Sequence, residues 1–372
     1  MWPRYNITTL EEGIMTSDYI KGLNDEVKAY YRVLSPEFPG WLTEYIDTPA
    51  MRRLEGTGMN WGSDHTDLYH NKYWYSNLTH SIGVALIVWH YTGDRKQTLA
   101  GLFHDIATPT FKHCIDFFRG DYLKQEATEV ETSQMINDSP EIMHLLKRDR
   151  IKLSQVDDYK LYPVADNDTP KLSADRFEYS YSAGLVLNRV WEIDQIKRTY
   201  DDVIILQNEE GADELGFQHL PVAEEYIATI SQLWPCWVEN RHKLTMQFIA
   251  DALKRMVKQG LLRPSDFYRY SEDKIISRIL NSGDEYLVSR FQQFRKAKRV
   301  YSSDTPVAGK YCRSIVTKRR YINPLVLSGD GTARRVGDLS AKAKQCLDDY
   351  LAYQPGQYAY LDFDFDPDYQ LD

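Results

Sequence analysis

The chain has 372 residues, of which 42% are hydrophobic, 27% charged and 13% aromatic, and its formal net charge is −9. This composition allows a substantial buried core and excludes a globally basic nucleic-acid binder. The longest apolar run, around 82–89, is far too short for a bilayer span, and the opening MWPRYNITTLEEG lacks the basic and apolar regions of a signal peptide. Cys114, Cys236, Cys312 and Cys346 form no Cys-x-x-Cys pair. They read as buried thiols of a reducing compartment, so a cytoplasmic location without a membrane partner is expected.

Apolar residues at spacings of three and four predict helices over 18–34, 82–91, 97–106, 181–191, 244–259 and 273–297, with Gly260 as a C-cap after the fifth. Strand-like stretches are few: 203–207 (VIILQ), and 313–318 or 321–327. Loops are expected at 35–39, 162–170 and 304–307. The reading is a mostly α chain with a small β element, divided softly into a helical core at 1–235 and a helical or mixed region at 236–372. Charge is uneven. Residues 241–320 hold 19 Lys/Arg against 7 Asp/Glu, and the end from Asp362 to Asp372 holds five Asp and no basic group. Solvated helix faces account for this most simply; a basic surface for phosphate-bearing ligands, shielded by the acidic tail, is the sharper reading.

The chemistry is carried by Leu102-Phe103-His104-Asp105-Ile106, at the end of an apolar helical run and just before the breaker Thr108-Pro109. Unpaired burial of two adjacent polar residues is costly, and a bound cation satisfies both. His104 offers a neutral nitrogen and Asp105 an anionic oxygen, a donor pair for Zn, Mn, Fe, Co or Ni that also tolerates Mg. Upstream, His80 heads another apolar helix in which Gly83 permits close helix approach; downstream, Asp175 starts a further one. Three helices can thus bring His80, His104, Asp105 and Asp175 to one ion.

This order of residues resembles the HD superfamily of metal-dependent phosphohydrolases, whose pattern is H…HD…D. Asp47-Thr48-Pro49-Ala50-Met51-Arg52-Arg53-Leu54 is similar to the DTPxxxRL segment of deoxynucleotide triphosphohydrolases, and Thr110-Phe111-Lys112-His113 to their PFSH step. The resemblance covers about residues 45–185. It implies an HD-type helical bundle, one divalent cation that lowers the pKa of water and polarises a phosphoryl oxygen, and homo-oligomers. His113, Asp116 and Glu126 take the acid–base positions, with Asp116 one turn on to orient His113; a plain surface or helix-start histidine is the alternative for His113. Lys112, Arg176 and Tyr179 are the candidate substrate contacts, although Arg176 serves equally as a structural ion pair.

The sequence also departs from the resembling pattern. Asn77 replaces an arginine three residues before the first metal histidine, which removes a cation suited to phosphate. Gln125 replaces a second histidine, and Ser182-Ala183 an Arg-Asp pair. The changes spare the metal and strip much of the dNTP clamp. A phosphohydrolase acting on a nucleotide or related small phosphorylated molecule is therefore expected ahead of a dNTP triphosphohydrolase. A non-catalytic module binding nucleotide or nucleic acid is the alternative of another class. Second-metal roles for His65, His70, His90 or His144 match the spacing poorly.

Overall fold

Capping residues, more than apolar spacing, set the helix ends in the computed structural model, which describes residues 8–9, 17–120 and 131–366. The helix expected over 18–34 is two, because the Asn24 side chain accepts a bond from Val27 N at 2.9 Å and starts α1 (Asp25–Leu34) after a short Asp18–Gly22 helix. Helix α2 (Asn77–Thr92) begins earlier than the apolar run suggests, since Ser76 caps Thr79 N at 3.1 Å, and it stops at Gly93 with φ +59°. Its residues from Asn77 to Val88 are buried without a break, which makes it the central helix. Each large aliphatic side chain buried there contributes roughly 1.5–3 kcal/mol.

Helix α3 (Arg95–Phe103), capped by Asp94, packs along α2 and ends immediately before His104. Short α4 (Cys114–Arg119) follows the turn after the His-Asp pair. Helix α5 (Ala174–Val186) starts at the Ser173 cap and lies against α2. It ends before the expected 191 because the N–H groups of Val190 and Trp191 fold back onto the Gly184 carbonyl. Helix α6 (Asn240–Lys258) has Gly260 just past its end at φ +70°. The helix expected over 273–297 is broken into α7 (Glu272–Leu280) and α8 (Glu285–Lys296), where Asp284 caps Leu287 N at 3.0 Å. Helix α9 (Ala341–Ala352) is the last.

The strands are β1 (Thr8–Thr9), β2 (Glu37–Phe38), β3 (Val203–Gln207), β4 (Asp213–Phe217), β5 (Tyr301–Ser303), β6 (Lys310–Arg313), β7 (Leu325–Leu327), β8 (Ala333–Arg335) and β9 (Tyr358–Asp364). They form a β1–β2 pair within which the expected 35–39 loop contributes a strand, a four-stranded sheet ordered β3-β4-β7-β8 and a three-stranded sheet ordered β5-β9-β6. Of the strands expected beyond 203–207, the first ends at Arg313 and the second starts only at Leu325. The connector 314–324 bonds elsewhere: Lys243 Nζ donates to Ile315 O at 2.8 Å, Arg319 donates to the Tyr350 and Tyr353 carbonyls, and Asn323 N to Pro170 O.

One continuous apolar cluster runs from Ile20 to Phe365. Helix α6 lies against α4 and β9, so residues after 236 pack directly on the helix that follows the His-Asp turn. Among the described residues no helix is long and apolar enough to cross a membrane. Cys114 and Cys236 are buried free thiols, whereas Cys312 and Cys346 are only half-buried, contrary to the expectation that all four lie inside. The strongly acidic end is in part used locally: Asp362 and Asp364 pair with Lys310 at 3.2 and 3.1 Å.

Candidate metal centre

Three of the proposed ligands owe their direction to the end of a helix, and Asp105 owes its direction to the turn that follows α3. His80 lies in the first turn of α2, His104 caps α3, and Asp175 lies in the first turn of α5. His80 Nε2 and His104 Nε2 approach to 3.1 Å, and Asp175 Oδ1 lies 3.0 Å from the first and 3.5 Å from the second. Asp105 Oδ2 is 3.7 Å from His104 Nε2. Among the described residues, His80, His104 and Asp105 form a buried group whose ligand atoms all lie within 4.8 Å of one another, and it can hold a metal ion.

The surroundings fix which nitrogen is offered. His80 Nδ1 is hydrogen-bonded to Glu178 Oε2, and His104 Nδ1 donates to Gly101 O at 2.7 Å. With both Nδ1 atoms engaged by acceptors, both Nε2 lone pairs of the neutral rings face each other and a carboxylate oxygen. That meeting of acceptors is satisfied only by protons or a cation. Two imidazoles with carboxylates suit Mn, Fe, Co, Ni or Zn and tolerate Mg, so the donor set fits a divalent metal.

Glu178 was not anticipated as part of the site, although it stands one helical turn from Asp175 and shares its face. It is completely buried; Tyr75 Oη donates to its Oε1 at 2.5 Å and Ser182 Oγ to its Oε2 at 3.2 Å. Gly83 makes room for it: a Cβ there would lie 2.7 Å from Glu178 Cγ. The close approach expected of Gly83 is thus an approach to this carboxylate.

Charge balance follows from these contacts. Burial opposes an imidazolium at His80, but Glu178 and Asp175 outweigh it and carry its pKa up to about 9. His104 is raised too, Asp105 and Asp175 outweighing burial. Burial likewise opposes charge on Asp105, but Lys112 and the two imidazoles hold its carboxyl well below the usual range; His104 and His80 do the same for Asp175.

The turn after the His-Asp pair is strained and braced. Phe111 and Lys112 both sit in the left-handed region, at φ +66° and +46°, at roughly 1–2 kcal/mol each. Thr110 N and Oγ1 bond to Phe267 O at 2.7 and 2.9 Å, and Arg53 of the 47–54 segment donates to the Ile106 and Thr108 carbonyls at 2.6 and 2.9 Å. The turn delivers Lys112 and His113 to the cavity. Lys112 Nζ lies 2.9 Å from Asp105 Oδ2 and 2.5 Å from Asn77 Oδ1, so an ammonium stands beside position 77 although that residue is uncharged. His113 Nδ1 is 2.9 Å from Asp116 Oδ2, and burial depresses its pKa against the pull of Asp116.

All four proposed ligands, with Lys112, His113, Arg176 and Tyr179, line one cavity of about 290 Å³; Asp116 reaches it through His113. Arg176 is also committed to structure, donating to Asn167 Oδ1, Asn167 O and Lys171 O. Burial pushes Tyr179 up to about 12, and its ring meets Trp237 edge-on at 5.4 Å. Glu126, with Gln125, lies outside the described residues. Of the second-metal candidates, His65 Nε2 is 2.9 Å from buried Glu272 and His90 packs on Tyr91 and Tyr200, and neither lines the cavity. Sequence reasoning missed Trp237, His242, Lys318 and Arg320, which supply cavity wall from the C-terminal side. Lys318 and Arg320 belong to the basic stretch, but nothing local marks them as facing inward.

No protein-family model matches the chain. It is 20% identical over 297 residues to the uncharacterized protein YdhJ of Bacillus subtilis (strain 168), covering 78% of this chain and 85% of that one. Its fold is similar to that of a hypothetical protein from Aquifex aeolicus, with a TM-score of 0.60 and 15% identity over 88% of this chain and 93% of the other. It is equally similar to a phosphohydrolase from Bacteroides thetaiotaomicron VPI-5482, with a TM-score of 0.59 and 13% identity over 86% and 94%. At such identities the likeness is one of fold: the chain has the largely helical fold, with small sheets, of a protein named a phosphohydrolase.

Proposed function

We propose that this chain is a metal-dependent phosphohydrolase of HD type, cleaving a phosphoester of a nucleotide or related small phosphorylated molecule. The observation that carries the reading is the convergence of the His80 and His104 Nε2 atoms on Asp175 Oδ1, with both Nδ1 atoms already engaged. The fold shared with a protein named a phosphohydrolase supports it. A divalent cation held by His80, His104, Asp105 and Asp175 supplies Lewis acidity, which lowers the pKa of water and draws charge from a phosphoryl oxygen.

The chain's own residues do the rest. Glu178 and the Gly101 carbonyl hold the two imidazoles in the tautomer that presents Nε2. Lys112 donates to Asp105 Oδ2, the oxygen that also faces His104, and fixes the orientation of that carboxylate. Asp116 keeps the proton of His113 on Nδ1, and burial favours the neutral ring, so His113 Nε2 can take up a proton and return it to the leaving oxygen as the bond breaks.

The test is metal analysis of the purified chain together with a metal-supplemented panel of nucleoside mono-, di- and triphosphates, products identified by mass. Asp105→Ala should lose the metal and at least about a thousandfold in turnover, since the cation is worth several kcal/mol to such reactions. Retention of both metal and activity in that variant would end the proposal. Release of inorganic triphosphate from dNTPs would instead identify a triphosphohydrolase.

A further inference from the structure

The entry of the chain into α5 decides where two groups of the metal side stand. Asp175 occupies the first turn of that helix, and Glu178, which orients His80, follows one turn later. Ala174 N and Asp175 N donate to the Val164 and Ala165 carbonyls at 2.8 and 3.2 Å, so nearby chain holds the start of the helix on one side. The Leu172 N–H is held differently. It donates at 3.0 Å to Glu214 Oε1, a side chain of β4 that lies 42 positions further along the sequence.

Glu214 is completely buried. A carboxylate in such a place is costly unless its charge is paired and its oxygens are bonded. Arg335 of β8 does both: Nη1 donates to Oε1 at 2.6 Å and Nη2 to Oε2 at 3.0 Å, and Asn208 Nδ2 adds a bond to Oε2 at 3.3 Å. Two parallel bonds fix the plane of the carboxylate, which the point charge of a lysine would not. Arg335 is held in turn by Glu209, at 2.7 and 2.6 Å, and its Nη1 donates to Asn323 O at 3.1 Å. Asn323 N donates to Pro170 O at 2.8 Å. The segment 170–172, immediately before α5, is thus tied at both of its ends to one buried cluster. Apolar residues of equal volume often give as much stability as a buried ion pair. They could not present an oriented acceptor to the Leu172 N–H.

We propose that Glu214 and Arg335 are positioning residues of the metal side, although neither lines the cavity. Through the Leu172 amide they set the entry of α5, and with it the place of Asp175 Oδ1 against His80 and His104 and of Glu178 against His80. The four-stranded sheet is in this way coupled to metal affinity. The effect on affinity rests on the four-ligand metal site, and any effect on turnover rests on the phosphohydrolase reading.

The experiment is calorimetric titration of the full chain with manganese, well below the melting temperature of each variant, beside amide hydrogen exchange of the metal-free protein. Glu214→Gln should weaken manganese binding about tenfold, as loss of an outer partner does at metal sites. Arg335→Met should do the same, and it serves if Glu214→Gln does not fold. Because both act through one amide, the double variant should lose no more than about the larger single loss. Ile279→Val, a change in the buried part of α7 away from the cavity, is the comparison: it should lower the thermal midpoint and leave manganese affinity unchanged. If both Glu214→Gln and Arg335→Met bind manganese as well as Ile279→Val does, the positioning role is overturned. Rapid exchange of the Leu172 amide in the wild type would overturn it without any variant. A wild type that binds no manganese would remove the metal centre and the positioning role together. Manganese affinity that depends on Glu214, without hydrolysis of any phosphoester, would leave the positioning role standing and remove the hydrolase.

Discussion

The two walls of the cavity are organised by different physics. On the side built by α2, α3 and α5, charged groups come with partners: His80 has Glu178 and Asp175, His104 has Gly101 O and Asp175, and Asp105 has Lys112. On the side supplied by residues 237–320, the buried imidazole of His242 has no hydrogen-bond partner at Nδ1 among the described residues, and burial together with His113 and Arg320 holds the ring in its neutral form. The first wall is preorganised so that it can hold a cation, and the second has no comparable cluster of ligand atoms among the described residues. The difference also lies in the backbone. The first wall stands on helix ends with defined caps, while Lys318 and Arg320 ride a connector fixed by scattered bonds to Lys243, Tyr350 and Pro170.

If the metal side depends on its partner shell, the shell is where the contrast breaks most easily. Glu178→Gln keeps the shape of the side chain but removes the charge that orients His80, and metal affinity should fall about 10–100-fold with turnover following it. Calorimetric metal titration decides the matter, and an unchanged affinity would mean that the helix alone positions His80. A smaller effect is expected of Gly83→Ala, whose Cβ would meet Glu178 Cγ at 2.7 Å. Overpacking of this kind costs about 1–3 kcal/mol, so the thermal midpoint should drop by several degrees, with a weakened metal site. An undisturbed melt would show that α2 and α5 can separate without loss.

The smallest effect sharpens the comparison through pH. In metal-free protein the folded state holds the His80 proton up to about 9, against an ordinary value of 6.5. A raised folded-state pKa contributes stability that is full below about 6.5 and is lost as pH rises through about 9. Chelator-treated protein should therefore melt progressively earlier across that window. Manganese must displace the same proton, so its stabilisation should grow over the same range. Melts of the stripped protein that do not change from pH 6.5 to 9 would contradict this balance at His80.

Much of the metal side was legible from residue order. His80, His104, Asp105 and Asp175 are recognisable because each sits where a local helix signal begins or ends, and the Ser76, Asp94 and Ser173 caps that place them are neighbours in sequence. Glu178 was within reach, one turn from Asp175, but as a buried acid it became meaningful only when Gly83 of α2 was seen to make room for it. The expected helices are present with other ends, Asn24 and Asp284 breaking two runs that apolar spacing joined, whereas the helices Pro140–Arg148, Ile193–Tyr200, Leu220–Ile230 and Ala341–Ala352 were not anticipated.

What the amino-acid order by itself determined is therefore the donor chemistry of the candidate ligands and the helix ends beside them, because capping and periodicity act over a few residues. The tertiary structure alone decided that His242, Lys318 and Arg320 share a cavity with them. Their approach depends on α6 packing against α4, and on a connector whose hydrogen bonds run to residues tens of positions or more away. No local pattern encodes a contact whose free energy comes from long-range burial.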